Sequence, residues 1–151
     1  VVKEFILDTS AFIRGVKLKG RIITIPEVVG ELKDHTSLMN FELSGCRVEE
    51  AREEYISEVR RYVKELGEFE LSETDVKLLA KALELKGILV TDDYSVQNVA
   101  SYIGIETSPI IRGKIREVIK WERRCSGCGR RVDSEICPFC GSEVRKKRLR
   151  E

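Results

Sequence analysis

The chain has 151 residues, 42% of them hydrophobic and 35% charged, which fits one folded core plus a small accessory module and excludes a disordered protein or two large domains. No apolar run approaches the roughly 20 residues a membrane-crossing helix needs, and Val1–Leu7 has neither the length nor the polar cleavage region of a signal peptide, so a cytoplasmic protein with no membrane partner is expected. The net charge of +1 hides an asymmetry: residues 1–111 hold 14 Lys/Arg against 20 Asp/Glu (net −6), and residues 112–151 hold 13 against 6 (net +7), which makes the tail a candidate phosphate-binding surface.

Residues 4–7 are an apolar run ending at Asp8, the pattern of a buried first strand, with Thr9 and Ser10 placed to cap a short helix over Ala11–Ile13. Arg21–Ile25 is rich in β-branched residues and reads as a second strand. Pro26 stops it and opens a helix whose buried side is Val28, Val29 and Leu32. The stretch 34–46 carries no clear periodicity. From Val48 to Leu66 the spacing of Ala51, Tyr55, Val59, Tyr62 and Leu66 predicts one long amphipathic helix, ended by Gly67. A further helix starts at Ser72 and closes at Gly87, with Val76, Leu78, Leu79, Ala82, Leu83 and Leu85 as its apolar face. Ile88–Val90 is a short apolar strand, Tyr94–Tyr102 a helix, and Ile103-Gly104-Ile105 leads into a last edge strand. Buried strands alternating with helices predict an α/β fold around a mostly parallel sheet covered on both faces.

In such a sheet, ligands collect beyond the carboxyl ends of the strands. Asp8 follows the first strand and Asp92 the strand 88–90; Glu31 lies on the helix after the second strand, and Asp75 in the first turn of the Ser72 helix. Four carboxylates from four elements can therefore surround one pocket. Without a cation they repel one another, and magnesium or manganese would relieve that repulsion. Each acid also has a plainer role open to it. Asp8 suits a helix cap, Glu31 a solvated helix face, and Ser72-x-x-Asp75 a capping box. Adjacent Asp92 and Asp93 cannot both turn inward, so Asp92 is assigned as ligand and Asp93 as a cap or supporting acid. His35 is the sole histidine, which excludes serine–histidine–aspartate, cysteine–histidine and paired-histidine chemistry.

Cys125-Ser-Gly-Cys128 and Cys137-Pro-Phe-Cys140, eight residues apart and each followed by glycine, have the spacing of two zinc knuckles. Four thiolates also accept iron, as in a rubredoxin-like site, and zinc is the preferred reading. Closed four-sulfur coordination makes that zinc structural. Cys46 has no partner motif and reads as a small buried residue. The expected organisation is a domain over 1–111, a connector over 112–120, and a zinc ribbon with basic tail over 121–151.

The segments Phe5–Ile13, Pro26–Leu32, Leu71–Val76 and Val90–Tyr94, followed by the four cysteines, resemble the Nob1 family of PIN-domain nucleases in its short archaeal form, over essentially the whole chain. The resemblance implies a three-layer PIN-like fold and a metal-binding catalytic set at Asp8, Glu31, Asp75 and Asp92. It implies a divalent-metal-dependent endoribonuclease that matures the 3′ end of small-subunit ribosomal RNA on the preribosomal particle. Hydrolysis would leave a 3′ hydroxyl and a 5′ phosphate. A non-catalytic preribosomal RNA-binding factor and a toxin-type PIN ribonuclease are the alternatives. With RNA as partner, Arg123, Arg124, Arg130, Arg131, Lys146, Lys147 and Arg148 become the expected phosphate contacts. Trp121 and Phe139 each suit either base stacking or the ribbon's small core.

Overall fold

The computed structural model describes residues 2–110 and 118–149. Five strands form one sheet, in order β3-β2-β1-β4-β5, with every pair parallel: β1 Glu4–Leu7, β2 Arg21–Thr24, β3 Arg47–Val48, β4 Ile88–Val90 and β5 Thr107–Ser108. The central strand β1 sets the register, pairing Phe5 with Ile22 on one side and Leu7 with Val90 on the other. Its residues Phe5, Ile6 and Leu7 are buried with Leu89, Val90 and Ile23, as expected of a parallel sheet covered by helices.

Six helices connect the strands: α1 Thr9–Arg14, α2 Pro26–Glu31, α3 His35–Leu43, α4 Glu53–Leu66, α5 Glu73–Leu85 and α6 Tyr94–Ile103. Ile56, Val59 and Leu66 of α4, Val76, Leu78, Leu79 and Ala82 of α5, and Val96, Val99 and Ala100 of α6 join one core with the sheet. Two glycines are fixed by close packing rather than by turns alone. A Cβ on Gly87 would stand 2.4 Å from Ile6 Cδ1 and 2.8 Å from the Glu4 carbonyl; one on Gly67, at φ +74°, would stand 1.7 Å from the Trp121 carbonyl. The left-handed end of α5 falls one residue earlier, on Lys86 at φ 53°.

Three elements differ from the sequence expectation. Residues 34–46 contain α3, capped by Asp34, whose carboxylate accepts from the Ser37 amide. Its apolar residues lie around the whole helix, and Leu43 is 79% exposed, so no stripe betrays it. The helix expected from Val48 starts only at Glu53, because Arg47 and Val48 pair with Ile23 and Thr24 as the edge strand β3. Ala51 packs against the core from the connecting segment, which is why it fell in phase with the true helix. The first helix is capped by Asp8 itself, whose Oδ1 accepts from the Ala11 amide, and not by Thr9 or Ser10.

The remaining strands, β6 Trp121–Cys125 and β7 Val144–Arg148, form an antiparallel ribbon pairing Trp121 with Arg148 and Cys125 with Val144. The ribbon's own buried cluster is only Cys125, Val132 and Cys137, with Val144 against it. The expected boundary at 111/112 and the connector through residue 117 lie outside the described residues. Among the described residues, no helix is long and apolar enough to cross a membrane.

Candidate active site and zinc centre

The carboxyl edge of the sheet gathers the predicted acids. Asp8 leaves β1 with its amide donating to the Val90 carbonyl at 3.4 Å, so the ends of β1 and β4 meet directly above Thr91 and Asp92. Glu31 closes α2 and is held at both oxygens by hydroxyls: Thr9 Oγ1 donates to Oε2 and Thr74 Oγ1 to Oε1, the latter at 3.0 Å. Asp75, beside Thr74, completes a capping box with Ser72 while lying in the same neighbourhood. Asp92 Oδ1 accepts from the Ile110 amide at 2.7 Å, which ties the segment after β5 to the site. Asp93 caps α6 through the amides of Ser95 and Val96, the cap role expected for it.

Asp8 caps α1, and Asp75 closes the capping box whose cap is Ser72. At the end of β1 a carboxylate can cap α1 and still lie at the carboxyl edge of the sheet, so the cap role of Asp8 does not remove it from that edge. Burial pushes the Asp8 carboxyl up to about 6 against hydrogen bonds from Thr91 and the Ala11 amide, with Asp75 and Asp92 adding repulsion. Asp75 is also raised, first by burial, opposed by Ser72 and reinforced by Asp93 and Glu31. Asp8 and Asp75 therefore each feel the charge of acids on other elements.

Among the described residues, the four cysteines are the group whose candidate ligand atoms all lie within 4.8 Å of one another. The carboxylates stand further apart as a set, with threonine hydroxyls bonded to Glu31 and Asp8, as mutually repelling charges will when hydrogen-bond donors are at hand. An all-oxygen donor set of this kind fits a hard divalent cation. The threonines were not singled out from sequence as site residues. A signal was there: Thr9, Thr74 and Thr91 each adjoin one of the acids Asp8, Asp75 and Asp92 in the chain.

In the ribbon, Cys125 and Cys137 are buried and Cys128 and Cys140 exposed, with Sγ atoms 3.2 Å apart for Cys125–Cys140 and 3.7 Å for Cys128–Cys137. The amides of Gly127 and Cys128 point at the Cys125 sulfur at 3.3 and 3.4 Å. Gly129 and Gly141 take positive φ, 77° and 76°, to close the two turns. The four thiols share their protons unevenly: hydrogen bonds from Ser142 hold Cys140 down to about 6, while burial and the neighbouring sulfurs push Cys128 up to about 11. Four convergent sulfurs fit zinc closed to water.

The basic residues divide. Arg124 and Arg131 both grip the buried Glu122, the latter at 2.8 Å, and Lys146 Nζ reaches Glu68 at 2.8 Å, so these three expected phosphate contacts have partners inside the protein. Arg123 lies 4.8 Å from the Phe69 ring and Arg130 4.4 Å from the Phe139 ring. Lys147 and Arg148 face outward on β7. Phe139 is 69% exposed and is no part of the ribbon core, whereas Trp121 is half-buried under Lys146. Cys46, expected buried, is only half-buried against the core, and burial still pushes its thiol up to about 12.

Comparison with known proteins identifies the family. Residues 5–85 match the family described as the PIN domain of ribonuclease. An Archaeoglobus fulgidus protein named Endoribonuclease Nob1 is 43% identical over 99% of this chain and 93% of its own length. A Pyrococcus abyssi protein of the same name is 42% identical over 94% of this chain and 92% of its length. A Schizosaccharomyces pombe protein named 20S-pre-rRNA D-site endonuclease nob1 is 35% identical over 56% of this chain and 24% of its own length. A PIN domain, a four-cysteine ribbon in the expected order and near-full-length likeness to archaeal relatives together settle the family: the chain belongs to the Nob1 endoribonucleases.

Proposed function

We propose that this protein is an endoribonuclease that cuts precursor small-subunit ribosomal RNA at its mature 3′ end, with Asp8, Glu31, Asp75 and Asp92 as the catalytic carboxylates. What supports the reading is that β1, α2, α5 and the end of β4 bring these acids toward one edge of the sheet, with Asp75 and Asp92 acting on Asp8 and Glu31 acting on Asp75. Magnesium or manganese bound there supplies Lewis acidity toward the scissile phosphodiester and toward water. The chain's own part is placement. Thr9 and Thr74 donate to the two oxygens of Glu31, the Ala11 amide of α1 donates to Asp8, and the Ser72 amide donates to Asp75. Half-burial of Asp8 keeps its carboxyl poised to exchange a proton for a cation near neutrality.

A domain of net −6 repels a polyanion, and the +7 segment opposes that field. Arg130, Lys147 and Arg148, with Phe139 as a stacking surface, are the ribbon's outward RNA contacts in this reading. The preribosomal particle is the proposed setting. The test is to map cleavage ends on an RNA spanning the 3′ end of the small-subunit precursor. One dominant cut at the mature end, absent with Asp92→Asn, is expected. Efficient cutting at unrelated sites, or a cut that persists in the variant, would contradict the substrate or the site respectively.

A further inference from the structure

Glu68 follows the glycine that caps α4, and it is 1% exposed. Its Oε2 accepts from Lys146 Nζ on β7 at 2.8 Å and its Oε1 from Asn98 Nδ2 on α6 at 3.0 Å. Asn98, also buried, clamps the backbone just before the ribbon: its Nδ2 donates to the Ile119 carbonyl at 2.6 Å, and its Oδ1 accepts from the Ile119 amide at 2.7 Å. Beside this cluster Gly67 lets α4 end directly against the Trp121 carbonyl, where any Cβ would collide. A carboxylate this deep is tolerated only when paired and hydrogen-bonded, and its partners here come from two other parts of the chain. Undocking the ribbon would strip away its charged partner.

Both nuclease-domain members of the cluster lie within a few residues of the acids along the chain. α6 begins beside Asp92, with Asp93 as its cap, and Asn98 lies five residues after that cap, about 8 Å along a rigid helix. Glu68 precedes Asp75 by seven residues, a span of at most about 25 Å. We propose that Glu68, Asn98 and Lys146 form a positioning lock that holds the ribbon at one place relative to the catalytic acids, so that RNA gripped by the ribbon presents a single phosphodiester for cutting. A ribbon on a free connector would bring a run of successive phosphodiesters within reach, and products would scatter. Lys146 is then an internal anchor rather than a phosphate contact. The inference rests on the nuclease reading above and adds what selects the bond.

The full-length zinc-loaded protein is compared with Glu68→Gln, Lys146→Ala and Lys146→Arg on two probes, the precursor RNA and a short single-stranded oligoribonucleotide that cannot span ribbon and acids. With Glu68→Gln and with Lys146→Ala, the precursor should be cut at several neighbouring bonds, with kcat/KM at the main bond down about tenfold. Cutting of the oligoribonucleotide should be unchanged. Exchange of the Ile119 amide should speed up in both variants, and Lys146→Arg should restore the single product. Glu68→Gln leaves the lysine in place, so a single unchanged product in that variant would show Lys146 to be only an RNA contact and overturn the lock. Equal loss on both probes would mark a general folding defect and overturn it as well. If the unaltered protein cuts neither probe, the nuclease reading fails; Ile119 exchange still decides the docking, and unchanged exchange in Glu68→Gln would overturn it.

Discussion

Asp8 concentrates the conflict between stability and activity that a metal-free acidic pocket creates. Its carboxyl titrates near 6 in the folded protein against 3.8 unfolded, so folding favours the protonated form. The stability associated with that proton is complete below about pH 4 and is lost as pH rises through 6. Ionised Asp8 therefore weakens the ion-free fold at neutral pH, by up to about 3 kcal/mol for a shift of this size. Asp8→Asn keeps an oxygen for the Ala11 amide and removes the charge. It should raise the melting temperature of ion-free protein at pH 8, leave it nearly unchanged at pH 4, and abolish cleavage; thermal melts across pH check this. Magnesium should stabilise the unaltered protein much more than the variant. Phe139 allows a second residue-level expectation. Phe139→Ala should weaken single-stranded RNA binding by about 1–3 kcal/mol, the range for one base–aromatic stack, with no loss of ribbon stability.

Packing between elements sets tolerance elsewhere. Gly87, in the turn from α5 into β4, packs against β1, and Gly87→Ala should lower stability by about 1–3 kcal/mol as the backbone around Glu4 yields, measurable by denaturant unfolding. At this scale the sequence was legible wherever one face was buried. Phe5–Leu7, Ile88–Val90 and the apolar side of α5 announced themselves because packing made them uniformly or periodically apolar. Helix α3 did not, since among its residues only Ser37 is fully buried and Leu38, Met39 and Leu43 face outward. Strand β3 was hidden because two exposed residues, Arg47 and Val48, pair through backbone alone. Asp8 and Asp92 stood out because strand ends are where parallel sheets present ligands. Thr9 and Thr74 adjoin Asp8 and Asp75 in the chain, but their bonds to Glu31 span 22 and 43 residues and follow no local pattern.

Across the whole molecule, charge and metal divide the work. The ribbon's buried cluster is too small to fold alone, so its stability should come from zinc. Chelation or Cys137→Ser should unfold the ribbon, seen as loss of Ile119 and Val144 amide protection, and weaken RNA binding while the five-stranded domain keeps its own transition. Outward and internally paired cations should separate by salt dependence. Arg130→Ala and Lys147→Ala should each reduce the salt slope of RNA binding by about 0.7, the contribution of one phosphate contact on a single strand. Arg124→Ala should instead destabilise the ribbon by exposing the demand of Glu122, with little change in slope.

The most direct measurement is the cleavage rate of labelled precursor RNA against magnesium or manganese concentration, for the unaltered protein and for Asp8→Asn, Glu31→Gln, Asp75→Asn and Asp92→Asn, with RNA affinity recorded in parallel. A rate that rises from nothing with added ion in the unaltered protein, and falls by at least about a hundredfold in each variant at preserved affinity, is expected for groups acting together on one reaction. Cleavage at full rate in a chelator, or retained in the Asp8 and Asp92 variants, would contradict the assignment of this acidic edge as the cutting site.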